Sequence, residues 1–226
     1  MSDFANDTHI DVSVLDSLSE VFFDRPPEIV APDLLGCLVA TCVDGVLAAG
    51  VIVETEAYLG SDDPGSHAAT KGMTARNAVM YGPPATAYVY FTYGNHHMLN
   101  LVCGSEGIAG AVLIRALRPV LGIEAMTSRR HGRPLRELCN GPGKLAAALG
   151  LDLSDNGSVP GVGRITVYDC DLGEHETVAI SGRVGLTRGH ELQLRYFIEN
   201  DPFVSRARTG PLPPKRRGGP RQRGSQ

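Results

Sequence analysis

Hydrophobic positions along much of this chain alternate with polar ones, the period expected of strands rather than helices. Two such stretches, "CLVATCV" and "VLAAGVIVETEAY", lie on either side of Asp44-Gly45. Asp-Gly between alternating runs predicts a two-residue hairpin turn, because both positions of that turn need positive φ. A period of two puts Val51, Val53, Thr55 and Ala57 on one face and Ile52, Glu54, Glu56 and Tyr58 on the other. Two carboxylates between an isoleucine and a tyrosine either meet water or line a pocket.

The same reading continues downstream. "TAYVYFTYGNHHMLNLVC" (86–103) predicts two strands around a Tyr-Gly-Asn turn, and "GAVLIRALRP" (110–119) another strand, ended by Pro119. Further strands are predicted at 164–169, 177–186 and 192–199. Helices are predicted within 26–37, with Pro27 near the start and Gly36 past the end, and over about 121–130 and 143–149. The long Gly/Pro/Asp-containing stretch 60–86 holds one short predicted helix at "TARNAVMYG", capped by Thr74. Residues 1–20 and the Pro/Gly/Arg-rich tail 210–226 are expected to be disordered, leaving one folded domain over 21–209. The fold class is α+β: a curved, mostly antiparallel sheet with flanking helices and a protruding β-hairpin.

Composition narrows the function without deciding it. At 226 residues, 42% hydrophobic and 20% charged, the chain suits one domain with a full core. No stretch approaches the roughly 18–20 apolar residues of a membrane span. The acidic N-terminus lacks a secretory pattern, and the five cysteines (37, 42, 103, 139, 170) form no CxxC, so a cytoplasmic protein with reduced thiols is expected. Net charge is −4, unevenly spread: residues 1–201 carry 14 basic and 25 acidic groups, −11, and the remainder carries seven bases and no acid, +7. "RRHGRPLRE" (129–137) is a second basic concentration. Such local fields suit phosphate, although solvated arginines would give the same composition.

Candidate chemistry gathers on two segments. Glu54 and Glu56 have Cα atoms roughly 6.8 Å apart if the strand is regular. Alone they read as a solvated face, or as an acid/base pair in the roughly 6.5–9.5 Å range of inverting carbohydrate hydrolases. Arg115 changes the picture. It sits in an apolar strand and must snorkel or find an anion, for which Glu56 is the natural candidate. A carboxylate held by arginine can activate water as a general base. On the second segment Tyr88, Tyr90 and Thr92 share a face, Tyr93 leads into the turn, and Asn100 comes down the return strand among apolar neighbours. With no Trp in the chain, these tyrosines are the concentrated aromatic resource. His67 stands in the long loop. "GPGK" (141–144) fails the phosphate-loop pattern, but Pro142 opening a helix, with Lys144, can hold one phosphate. No metal-ligand spacing and no zinc deaminase signature is present.

Four blocks, "VIVETEAYLGSDDPGSHA", "AYVYFTYGNHHMLNLV", "GAVLIRALRP" and "LCNGPGKLAAALGL", together resemble the alkyladenine family of 3-methyladenine DNA glycosylases, from about residue 22 to 204. The resemblance implies an enzyme that binds double-stranded DNA containing damaged purines. It would flip out an alkylated or deaminated purine nucleotide and hydrolyse its N-glycosidic bond without metal or cofactor. The classes implied are 3-methyladenine, 7-methylguanine, hypoxanthine and ethenoadenine. It implies Glu56 as general base, with Arg115 and the Val184 backbone carbonyl holding the water. It implies Tyr58, His67 and Tyr90 around the extruded base, Asn100 against the amino group of guanine, and Tyr93 in the gap left in the duplex. Asn95 and His96, beside that wedge, are more polar than the apolar residues of some relatives. Lys144, Arg129 and Arg130 are the expected phosphate contacts. The chain has three lysines (71, 144, 215), and hydrolysis without strand cleavage is expected, by a nucleoid-associated monomer. A noncatalytic module that binds damaged DNA is the remaining alternative.

Overall fold

The computed structural model describes residues 10–206 apart from 93 and 95, so the expectations for Tyr93, Asn95 and the basic tail lie outside the described residues. Eight strands follow one another as β1 (Leu38–Val43), β2 (Val46–Tyr58), β3 (Ala87–Thr92), β4 (His96–Val102), β5 (Ala111–Leu121), β6 (Ile165–Tyr168), β7 (Val178–Ser181) and β8 (Arg195–Ile198). The helices are short: α1 (Glu20–Phe23), α2 (Pro27–Asp33), α3 (His67–Lys71), α4 (Ile123–Arg129), α5 (Leu135–Leu138) and α6 (Pro142–Leu149). All named strand pairs are antiparallel, in the order β3-β4-β5-β2-β1-β6, with β8 also on β2 and β7 on β8. The sheet stays open, giving the α+β architecture expected.

Asp44 and Gly45 both take positive φ, 52° and 75°, and join β1 to β2 as the pattern requires. β2 is the spine of the sheet. One edge pairs with β5; the other pairs with β1 over Val46–Val51 and with β8 over Glu54–Glu56. The face carrying Thr55 packs on α2, where the Thr55 hydroxyl donates to the Ala31 carbonyl at 2.8 Å. Val30, Ala31 and Leu34 join Val53, Ala57, Leu99 and Ile114 in the main core. Each such fully buried Val, Leu or Ile side chain contributes about 1.5–3 kcal/mol by leaving water. α6 packs on β4 and β5. A Cβ at Gly143 would stand 2.8 Å from the His96 ring, so glycine there lets helix and hairpin close on each other.

Several boundaries differ from the sequence expectation. Residues 10–19, placed in a disordered terminus, run beside β6: Ser17 bridges Tyr168, and Leu18 N–H donates to Val167 at 2.8 Å. β5 passes through Pro119 to Leu121, and its register with β2 slips opposite that proline. The strand expected over 177–186 stops at Ser181. The helix expected after Thr74 is a single tight turn, Ala78–Tyr81. The Asn77 side-chain carbonyl instead accepts from Thr74 N–H and hydroxyl at 2.6 and 2.8 Å, closing a local loop. α3 was not anticipated, although Ser66 caps it by accepting from Ala68 N–H and Gly72 ends it at positive φ. α5 was also not anticipated.

Candidate active site

The strand order delivers cations to both sides of the β2 carboxylates. In the β2–β5 ladder Thr55 faces Ile114 and Glu54 faces Ala116, which leaves Arg115 as the extra residue of a bulge. A bulge re-aims its side chain, and here the guanidinium reaches both glutamates. Arg115 Nε lies 2.8 Å from Glu54 Oε1, and its Nη1 lies 3.2 Å from Glu56 Oε2. On the other edge Glu56 faces Arg195, whose Nε donates to Glu54 Oε1 at 2.7 Å. Both glutamates are fully buried, and both arginines nearly so. Buried charges of this kind persist only when paired and hydrogen-bonded.

The two carboxylates are satisfied differently. Glu54 accepts from Arg115, Arg195 and the Ser205 hydroxyl through Oε1, and from Ser205 N–H through Oε2 at 2.7 Å. Burial raises its pKa, but Arg115 and Arg195 outweigh that and hold it below the ordinary carboxylate value. With four donors engaged, Glu54 is a structural anion and has no place as the acid of a carbohydrate-hydrolase pair. Glu56 accepts from Val184 N–H at 2.7 Å and from the Tyr58 hydroxyl at 2.9 Å, beside the Arg115 ion pair. Two hydrogen bonds and one ion pair leave Glu56 acceptor capacity to spare among the described residues. Burial, and then the Glu56 charge, push the Tyr58 phenol well above its usual pKa, which keeps it a donor.

All three partners of Glu56 line one cavity of about 280 Å³, together with His67, Met80, Tyr88, Tyr90, Thr92, Met98 and Asn100. The expected face of β3 is thus the cavity wall: Tyr88 and Tyr90 stand 5.1 Å apart, and His67 meets Tyr90 edge-on at 4.9 Å. His67 Nδ1 lies 3.3 Å from the Tyr88 hydroxyl. Asn100 is buried and donates to the Tyr88 carbonyl at 3.0 Å, which leaves its side-chain carbonyl for a ligand or water. Val184 lines the same cavity, and its N–H donates to Glu56.

The basic residues divide. Arg129 Nη1 donates to the Ala148 carbonyl at 3.1 Å, at the C-terminal end of α6, so this half-exposed arginine caps a helix. Lys144 Nζ donates to Asn140 at 2.7 Å and lines two surface cavities, one with Arg115, Arg136, Ser205 and Arg206, the other with Arg130 and Arg133. Sequence reasoning missed Arg195, Ser205, Arg183 and Asp63. Arg195 carried the same signal as Arg115, a cation inside an apolar alternating strand. Asp63 and Ser205 lie in irregular backbone, where no periodicity marks them.

A family model for methylpurine-DNA glycosylase matches residues 21–202, which include every residue of this carboxylate and aromatic cluster except Ser205. The chain belongs to that family. Proteins named "Putative 3-methyladenine DNA glycosylase" are among its relatives. That of Koribacter versatilis is 45% identical over 83% of this chain and 92% of its own length. That of Prosthecochloris aestuarii is 45% identical over 87% and 93%, and that of Rhodopseudomonas palustris 46% over 81% and 88%. Among the described residues of this glycosylase-family chain, no helix is long and apolar enough to cross a membrane.

Proposed function

We propose that this protein is a base-excision-repair glycosylase that hydrolyses the N-glycosidic bond of alkylated or deaminated purines in double-stranded DNA. The observation that carries this reading is the Glu56 carboxylate, held by three groups that all line an aromatic-walled cavity and with acceptor capacity left over. The damaged nucleotide swings out of the duplex, at a cost of a few kcal/mol that is smaller for a poorly paired base. The purine lies among Tyr58, His67 and Tyr90, and Tyr93 occupies the gap it leaves. Stacking on each aromatic face is worth about 1–3 kcal/mol by the single-strand yardstick. Asn100 stands where the exocyclic amino group of guanine would fall and so discriminates against that base.

Glu56 then accepts a proton from water as the water oxygen bonds to C1′. The C1′–N9 electron pair leaves with the purine, and an abasic site remains. Positive charge developing on the sugar is stabilised by the same carboxylate. Arg115, fixed by Glu54 through Nε, orients Glu56 through Nη1. No lysine is needed as a covalent nucleophile, so the abasic strand stays intact. Lys144 and Arg130 meet phosphate.

The test is Glu56→Gln, assayed on single-lesion duplexes with and without alkali. Tight binding of damaged duplex with base release lowered by at least about a hundredfold is expected. For the wild type, strand breaks are expected only after alkali. Normal excision by the variant would remove Glu56 from the reaction, and breaks without alkali would remove the hydrolysis-only assignment.

A further inference from the structure

Arg183 has no part in the reaction just described, yet it is among the largest fully buried side chains of the described residues. Asp63 holds its two terminal nitrogens, and the carbonyls of Ala57 and Gly189 accept from the same nitrogens at 2.9 and 3.1 Å. Its Nε is buried with no hydrogen-bond partner. What the guanidinium does face is the Tyr58 ring, with Cζ 4.7 Å from the centroid. Gly65, part of the cavity lining, is packed so closely that a Cβ there would lie 2.6 Å from Arg183 Nη2. The cation is therefore sealed directly beneath the cavity wall. The other aromatic wall is built alike: Arg76, anchored by the Phe91 carbonyl at 2.6 Å, stands over Tyr90 with Cζ 5.5 Å from the centroid.

A ring has two faces and one π system. When a guanidinium occupies one face, the electron density that would attract a cation on the other is already polarised away. Building on the glycosylase reading, we propose that Arg183 and Arg76 set the charge preference of the cavity. They weaken its hold on purines made cationic by N-alkylation, relative to neutral deaminated or cyclised purines. Both act through the rings they back and so are positioning residues rather than catalytic ones. A merely structural role for either would change excision of all lesions in parallel. The role proposed changes their ratio.

The experiment compares single-turnover excision of 7-methylguanine, a cationic nucleoside, and hypoxanthine, a neutral one, each at one position of the same duplex. The proteins are wild type, Arg183→Met/Asp63→Asn, Arg183→Lys and Arg76→Met. The double variant removes both partners of the ion pair, so no buried carboxylate is stranded. Relative to wild type, the ratio of 7-methylguanine to hypoxanthine rates is expected to rise about threefold or more in the double variant. A rise in the same direction is expected for Arg76→Met, and little change for Arg183→Lys, which keeps the cation. Arg76 is exposed, so its variant decides the matter even where the double variant fails to fold. An unmoved ratio in the folded variants overturns this inference and leaves the glycosylase reading standing. A wild type that releases neither base overturns that reading, and this inference with it.

Discussion

Glu54 and Glu56 are two positions apart on one strand face, but their hydrogen-bond partners give them opposite work. Glu54 is saturated by two arginines and Ser205, so its value is structural: it fixes the guanidinium that orients Glu56. Replacing it with Gln leaves two buried guanidiniums short of an anion, which costs about 3–5 kcal/mol for breaking a buried pair. The loss has a defined pH dependence. The folded-state pKa of Glu54 lies below the ordinary 4.5, so its ionised form stabilises the fold fully above that value. As pH falls through the depressed folded value, that stabilisation disappears. Urea unfolding should therefore show a wide gap between wild type and Glu54→Gln at pH 7 that narrows progressively below about pH 4.5. A gap of constant width down to pH 3 would mean that the carboxylate charge contributes nothing to stability. Base release by Glu54→Gln should fall as well, because Arg115 Nε keeps only a neutral amide oxygen where it had a carboxylate.

At the level of elements, the alternating strands and their turns were legible because side-chain period and turn chemistry are local properties. Asp44-Gly45 and the Tyr88/Tyr90 face needed only the neighbouring residues to be read. Three features that make the site were not local. The bulge that frees Arg115 arises from register with β2, about 60 residues earlier in the chain. β8 joins β2 from about 140 residues away, and nothing in the "LQLRYFIE" pattern names its partner. α3 was concealed because a one-turn helix has no periodicity; only Ser66 and Gly72 marked its ends. Glycines show the same contrast between local and distant causes. Gly45 and Gly60 both have positive φ, 75° and 90°. A Cβ at Gly45 meets nothing, whereas at Gly60, just past Tyr58, it would fall 2.1 Å from the Ala109 carbonyl oxygen. Gly45→Ala should cost only the backbone strain, about 1 kcal/mol, and spare base release. Gly60→Ala should cost more than about 2 kcal/mol and impair excision, since the chain that follows Tyr58 must move. Thermal melts and excision rates of the two variants check this, and equal costs would show that φ alone governs both positions.

For the molecule as a whole, the question is how a chain with −11 over residues 1–201 approaches a polyanion. The cations around α6 are not scattered. Arg136, Lys144 and Arg206 line a surface cavity that shares Arg115 and Pro142 with the aromatic cavity. Arg130 and Arg133 line the next one, again with Lys144; one acid, Glu137, lines both and lies 3.8 Å from Arg133. Phosphates on either side of a nucleotide inserted among the tyrosines would therefore meet positive charge locally, whatever the total. Arg129, adjacent in sequence to Arg130, caps α6 and stands apart from this track. Counterion release turns that difference into a measurement. Each lost phosphate contact should reduce the slope of log K against log salt for undamaged duplex by about 0.9. Lys144→Ala and Arg136→Ala should each lower affinity and flatten the slope by close to one unit. Arg129→Ala should leave the slope alone and lower stability by about 1 kcal/mol through its lost helix cap. If Arg129→Ala flattens the slope while Lys144→Ala does not, the DNA crosses the opposite end of α6, and the path from phosphate track to aromatic cavity must be redrawn.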